Sequence, residues 1–375
     1  MRTQLFQLLL VMTILCVASC KKLNEEPDEK QVSTLLDCFE PNDTLIIENR
    51  TFSMGFSTWP FGSSPQAKQE TYASIAEFSD IYSEQFDDHI PWFGLRDGRP
   101  LPQQASSDLN TRVNNIISSN DLVLSVSLFN PERNDLITGY NGQTPTYGSI
   151  SDQEIEDTYF KYITIMADEF PNLKYLVVAM EVNEFYLKSP EKWDDYKTLM
   201  SNLKPRLYER YPGVLISESI TLHNLSTSSN QQYVDNIISY VNELDFVAIS
   251  YYPFLHGALE DNQIQDDFDF LHDKITKPIA IVETGQIAET LEVPEVTLEA
   301  DECTQKDYVQ LLLSNANSHD YEFVIWWTHK DYDELYETFP DDVKALGRIW
   351  RDAGLINEAD QNRPGFREWE AVFNN

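Results

Sequence analysis

Two apolar, strand-like runs of this chain close on glutamates. Leu176-Val177-Val178-Ala179-Met180-Glu181-Val182-Asn183-Glu184 ends in Glu184. Ile279-Ala280-Ile281-Val282-Glu283-Thr284-Gly285 carries Glu283, 99 residues further on. One carboxyl group as proton donor and one as nucleophile are what cleavage of a glycosidic bond requires. Whether Glu184 and Glu283 face each other is therefore the central question the sequence poses. Glu181, in the same strand as Glu184, reads as an ion-pair residue, and Glu218 as a similar bystander.

The elements that must position these groups alternate regularly. Short runs rich in β-branched and aromatic residues predict strands over Thr51 to Ser57, Ile81 to Phe86, Leu122 to Phe129, Tyr175 to Val182, Val214 to Ile220, Phe246 to Tyr251, Pro278 to Val282 and Phe323 to Trp327. A helical pattern follows each, as with Tyr72, Ile75 and Phe78 behind the Ser64-Pro65 start signal. Several strands are continuously apolar, as expected for parallel strands covered on both faces. Eight β-then-α units predict an α/β protein, a single-domain (β/α)8 TIM barrel over residues 46–375 with a C-terminal helical tail. An open doubly wound sheet is the alternative, but Gly55-Phe56-Ser57 is not the glycine-rich phosphate turn such a fold carries first.

In a barrel the site lies at the C-terminal strand ends. Standing there are Trp59, then Gln85, Asp87 and His89, then Phe129 and Asn130, then Asn183 and Glu184. Beyond them come Thr221 and His223, Tyr251 and Tyr252, Glu283, and finally Trp326 and Trp327. Aromatic faces with amides and carboxylates suit sugar rings and hydroxyls. Period-2 alternation turns one of Trp326 and Trp327 away from the axis, and splits Tyr251 and Tyr252 in the same way. His89 is a minority candidate for sugar contact.

Asn183-Glu184 closing strand four, with Glu283 closing strand seven, resembles the retaining (β/α)8 glycoside hydrolases of clan A over residues 50 to 350. Ser250-Tyr251-Tyr252-Pro253-Phe254-Leu255-His256-Gly257 is similar to the matching segment of arabinogalactan endo-β-1,4-galactanases, as is Glu283-Thr284. The resemblance implies Glu184 as general acid/base, Glu283 as nucleophile and Asn183 on the sugar 2-hydroxyl. It further implies Tyr251 or Tyr252 on the nucleophile, and Trp326 or Trp327 under the sugar. The chain departs from the pattern twice. Strand two ends in Gln85-Phe86-Asp87, without the arginine that clan members often carry there, and no glycine precedes Asn183. A catalytically silent barrel acting as a surface glycan-binding lipoprotein is the alternative of a different class.

Net charge is −35, from 62 acidic and 27 basic residues. Such a surface repels phosphate backbones, so nucleic acid is not an expected partner, and the expected partner is an oligo- or polysaccharide bound by a monomer. Arg2, an apolar run from Leu5 to Val17, and Val17-Ala18-Ser19-Cys20 read as a lipoprotein signal over residues 1–20, acylated at Cys20. An acidic tether over 21–45 then joins a membrane to the barrel. This expectation places the protein lipid-anchored in a bacterial cell envelope. Cys38 and Cys303 remain, and an exported chain permits a disulfide between them if they lie within reach. No spaced Cys/His set points to a metal, strand one lacks an HxH pair, and no cofactor is expected.

Overall fold

The computed structural model describes Cys38 and residues 44–375 apart from 294 and 295. The expected signal segment, Cys20 and most of the tether lie outside the described residues. Among these no helix is long and apolar enough to cross a membrane.

The barrel strands are β1 (Ser53–Ser57), β2 (Ile81–Phe86), β3 (Asp121–Val126), β4 (Leu173–Val177), β5a (Leu215–Ser217), β5b (Ser219–Thr221), β6 (Val247–Tyr251), β7 (Ile279–Thr284) and β8 (Phe323–Trp326). They are hydrogen-bonded in the order β5a-β4-β3-β2-β1-β8-β7-β6-β5b, and every neighbouring pair is parallel. β5a and β5b are two halves of one stave, interrupted at Glu218. Eight staves thus make the barrel, with helices packed outside it, as the alternation predicts. A short antiparallel hairpin, Leu291–Val293 with Val296–Leu298, decorates the loop after β7.

Side-chain alternation divides the core into two shells. Ile81, Val123, Tyr175, Val177, Phe246, Ala248, Ala280, Val282, Phe323 and Ile325 fill the barrel interior. A larger shell between strands and helices includes Leu122, Leu124, Leu176, Ile249, Ile281, Val324 and Trp326. Gly55 is required by the wall itself: a Cβ there would lie 1.8 Å from the Ile81 carbonyl oxygen of the neighbouring strand.

The largest departure from the predicted strands is at β4. The apolar run continues to Val182, yet strand pairing stops at Val177 and a helix occupies Val182–Lys188. Between them the chain stays tied to the fifth stave through Val178 N–H to the Ser217 carbonyl and Ser219 N–H to the Ala179 carbonyl. Glu181 then takes a left-handed conformation, φ 55°. Its backbone turns out of the strand there, and the helix starts one residue later.

Cys38 and Cys303 form a disulfide, with Cα atoms 5.6 Å apart. It joins the N-terminal segment to the start of the helix Glu302–Ser318, whose first turn is capped by the Asp301 carboxylate accepting from the N–H groups of Cys303 and Thr304.

Candidate active site

Strand parity decides which side chains enter the mouth of the barrel. On β6, Ala248 points inward, so Ser250 and Tyr252 do too, and Tyr251 points out. The Tyr251 hydroxyl accordingly donates to Asp267 Oδ2 at 2.7 Å in the helical layer. On β8, Ile325 points inward, so Trp327 does and Trp326 does not. Trp326 is fully buried, with its indole N–H on the Ala353 carbonyl. On β2, Ile81 points inward and Gln85 follows it. Glu84 faces outward, held by the Tyr72 hydroxyl at 2.5 Å and Arg112 at 2.7 Å. Tyr251 and Trp326 are thus removed from the candidate site, and Tyr252 and Trp327 remain.

β7 breaks the alternation. Ile249 pairs with Ile281, but the next residue, Ser250, pairs with Glu283, and β8 shows the same shift between Val324 and Trp326. Val282 is the extra residue of a β-bulge. Val282 belongs to the barrel interior and Glu283 also turns inward, where a regular strand would have sent it to the helices.

Glu283 is gripped from two sides. Its Oε1 accepts from the Tyr252 hydroxyl at 2.6 Å, and its Oε2 accepts from Gln85 Nε2 at 3.0 Å. Gln85 arrives from β2, across the barrel mouth. Burial pushes the Glu283 carboxyl up to about 7, and the charge of Glu181 adds to the rise; the two hydrogen bonds pull the other way. Burial and the Glu283 charge also raise the Tyr252 phenol, so it stays a hydroxyl donor.

The carboxylate acting on Glu283 is therefore Glu181. Its Oε2 accepts from Arg133 Nε at 3.0 Å and pairs with Nη2 at 2.8 Å, while its Oε1 accepts from Ser250 Oγ at 3.2 Å. Ser250 is the residue in register with Glu283, so one seryl hydroxyl links the two carboxylate neighbourhoods. Glu184 lies one helical turn further on. Its carboxyl accepts from Asn224 Nδ2 at 2.7 Å, and burial raises it above the ordinary carboxylate range, against the pull of that hydrogen bond. The expected facing pair of Glu184 and Glu283 is corrected by this geometry. The early helix start moves Glu184 off the strand end and leaves Glu181 there.

Asn183 is corrected too. It is wholly buried and clamps the β4 exit to the fifth stave. Its Nδ2 donates to the Thr221 carbonyl and the Tyr233 hydroxyl, and its Oδ1 accepts from Thr221 N–H. Both of its amide hydrogens are committed within the protein, so it has no donor left for a sugar. The residue before Glu181 is Met180, which brings no such donor. His89 sits on the rim, its ring 5.1 Å from that of Tyr140 and its Nδ1 3.4 Å from Thr138 Oγ1. It does not join the carboxylates. Glu218, the other bystander, is buried among Lys204 and the hydroxyls of Tyr196 and Tyr240, outside the barrel.

Trp59 and Trp327 form an aromatic floor, ring centres 5.3 Å apart, with Tyr332 edge-on to Trp59 at 6.0 Å. Both indole N–H groups are buried without a protein partner, as is the Nε1 of Trp350, whose ring lies 5.8 Å from Tyr252. A ligand with hydroxyl acceptors would satisfy such donors. On the fifth and sixth staves, His223 and His256 stack at 5.5 Å, and His256 Nε2 lies 3.0 Å from Asp267.

Two carboxylate trios stand within metal-ligating reach, Glu289 with Asp331 and Glu358, and Asp331 with Asp333 and Asp352. Both include Asp331, in the loop after β8. Arg363 meets Asp331 at 2.8 Å, and Arg351 meets Asp352 at 2.6 Å.

Sequence reasoning took Glu181 for an ion-pair residue, gave no role to Arg133 or Ser250, and placed Gln85 at the mouth without linking it to Glu283. The available signals were the inward parity of 81, 83 and 85 and of 248, 250 and 252, and the helical spacing of Val182 and Phe185.

The comparisons with known proteins bear on the fold and the class. Residues 164–318, which include Glu181, Arg133's partner, and Glu283, match the profile of Glycosyl hydrolase family 53. Among solved structures, a GH5_18 protein of Bifidobacterium longum subsp. longum in complex with Manβ1-4GlcNAc superposes with a TM-score of 0.63 at 13% identity, over 86% of this chain and 78% of that one. The GH53 catalytic domain of Ignisphaera aggregans gives 0.59 at 13%, over 88% and 99%. The exo-β-1,4-mannosidase Op5Man5 of an Opitutaceae bacterium gives 0.60 at 12%, over 89% and 62%. No curated protein matches the sequence. Barrel, inward glutamates and family match define the class, an O-glycosyl hydrolase on a (β/α)8 scaffold. Within that class the chain resembles clan A.

Proposed function

We propose that the chain hydrolyses a β-linked polysaccharide with retention, Glu283 acting as nucleophile and Glu181 as acid/base. The observation carrying this reading is the arrangement around Glu283: two neutral donors on its oxygens and a second carboxylate, Glu181, acting on it. Both acceptor oxygens of Glu283 are oriented by donors, as an attacking carboxylate needs. Glu181 protonates the departing oxygen as Glu283 attacks the anomeric carbon, and a glycosyl ester forms. Glu181 then takes a proton from water, whose oxygen breaks the ester. Trp327 and Trp59 supply the apolar face for the ring.

The family match over both glutamates favours β-1,4-galactan as the polymer. The N-terminal reading further places the enzyme lipid-anchored at Cys20, facing polymer outside the membrane. A second reading, a silent barrel that holds glycan, draws on Gln85, which stands where the clan resemblance implies an arginine, and on Met180, which leaves no amide immediately before Glu181.

The test incubates the protein with β-1,4-linked galactan, mannan and glucan and follows the first-formed anomer by proton NMR. In parallel, 2,4-dinitrophenyl 2-deoxy-2-fluoro-β-glycosides of the three sugars are used to trap the ester, located by peptide mass spectrometry. Retained anomer with label on Glu283 is the expected result. An inverted product, or a label on another residue, overturns the mechanism. Binding without any release favours the silent barrel.

A further inference from the structure

Arg133 is a cation placed among carboxylates. It stands at φ 54° in the loop after β3, in a turn closed by Asn130, whose carbonyl accepts from Arg133 N–H and from Nη1 at 3.1 Å. Its guanidinium meets Glu181 Oε2 through Nε and Nη2, with side-chain exposures of 16% and 25%. Its field reaches Glu184 and Asp87 as well.

We propose that Arg133 forms the subsite for the departing sugar and couples that subsite's occupancy to Glu181. The inference rests on Glu181 being the acid/base. A general acid must come within hydrogen-bond distance of the glycosidic oxygen, so a group bonded to its carboxylate borders the leaving-group side. Both oxygens of Glu181 are engaged, Oε1 by Ser250 and Oε2 by Arg133. To deliver a proton, one contact has to open. Ser250 is fixed in the barrel wall on β6. Arg133 hangs from a loop on a long side chain, so Oε2 is the oxygen that is freed. The released N–H groups, on a side chain only 16% exposed, then need acceptors, since a donor shut away from most of the solvent is costly to leave unpaired. The hydroxyls of a departing sugar supply them around the whole ring, whereas an aryl group offers only the oxygens of its substituents. The site is accordingly built for a saccharide leaving group, which points to cleavage inside or between sugar chains.

The test compares matched substrate pairs built on galactose, mannose and glucose. Each pair is a β-1,4-linked tetrasaccharide and the 2,4-dinitrophenyl β-glycoside of the same sugar, whose departure needs no proton. The readout is the ratio of kcat/KM for tetrasaccharide over dinitrophenyl glycoside, in the wild type, Arg133→Ala and Arg133→Lys, with thermal unfolding to verify folding. The expected result is a fall in that ratio of tenfold or more in Arg133→Ala, with partial recovery in Arg133→Lys, which keeps the charge and loses the fork. An unchanged ratio overturns the proposal, whether activity is kept or both substrates decline together. If the wild type turns over neither member of any pair and Glu283 resists labelling, the failure lies with the glycosidase mechanism itself, and the subsite falls with it.

Discussion

Gln85 Nε2 donates to Glu283 Oε2 at 3.0 Å across the mouth of the barrel, from β2 to β7. A neutral amide stands where the clan resemblance implies a cation. It satisfies the oxygen without neutralising its charge, and Glu283 is accordingly pushed up to about 7 by burial and by Glu181. On the proposed mechanism Glu283 attacks only when ionised, so the acidic limb of kcat/KM against pH is expected near that value. In Gln85→Arg the guanidinium favours the ionised form, and the limb moves to lower pH by on the order of 1–3 units. A pH–rate profile of the variant that coincides with the wild type would remove Gln85 from control of the nucleophile.

Glu181 and Glu184 separate cleanly by mutation. Glu181→Gln is expected to lose about 10²–10⁴-fold on unactivated glycan, the usual contribution of a general acid. It should keep far more of its activity on a dinitrophenyl glycoside. Glu184→Gln, whose amide oxygen can still accept from Asn224, stays within a few-fold on both. Steady-state kinetics on the two substrates decide the assignment, and the reverse pattern would restore Glu184.

Glu283 also carries a stability signature. Its folded value lies above the ordinary carboxylate value of 4.5, at about 7. Ionising it therefore works against the fold, and stability falls as pH rises from the ordinary carboxylate range through about 7. At about 1.4 kcal/mol per pH unit of displacement, the full effect is about 3 kcal/mol. Glu283→Gln removes that dependence. Denaturant unfolding is expected to show the variant gaining on the wild type between pH 5 and pH 8, and a gap constant with pH contradicts this account.

Asn183 tests whether a buried amide holds structure or substrate. Its three hydrogen bonds all run within the protein, to Thr221 and Tyr233. Asn183→Ala leaves Thr221 N–H and the Thr221 carbonyl without that partner, at a cost of about 1–3 kcal/mol. Thermal and denaturant unfolding should show the loss. A variant of undiminished stability whose KM rises sharply would instead return Asn183 to the sugar.

The barrel was legible because eight strand-and-helix units leave few ways to bury so many apolar staves. β2 was readable to the residue, since Ile81 to Phe86 is bounded by polar turns at both ends. β4 was not. Val178 to Val182 is equally apolar as strand or as helix entry, and the choice is made by the left-handed turn at Glu181 and the Asn183 clamp to Thr221, both tertiary events. That ambiguity of a few residues moved the expected acid from Glu181 to Glu184. Tyr252 over Tyr251 and Trp327 over Trp326 followed from parity once an inward neighbour was known. The Val282 bulge had no sequence signal, because it depends on the register of two other strands.

The Cys38–Cys303 bond fixes where a mechanical leash would be fastened. Cys303 begins the helix that follows β7 and its hairpin, and in such a barrel that helix starts on the rim that carries the strand C-termini. The chain is therefore pinned at Cys38 beside the mouth of the barrel that holds Glu181 and Glu283. With anchoring at Cys20 as proposed, only the 18 residues from Cys20 to Cys38 set the operating radius, at most about 60 Å when fully extended. Reducing the bond would lengthen the leash only as far as Leu45, whose N–H is held by the Glu368 carboxylate, with Ile47 buried just beyond. The bond would therefore trim the length of such a leash by 7 residues, from Leu45 back to Cys38, and leave its side of attachment unchanged.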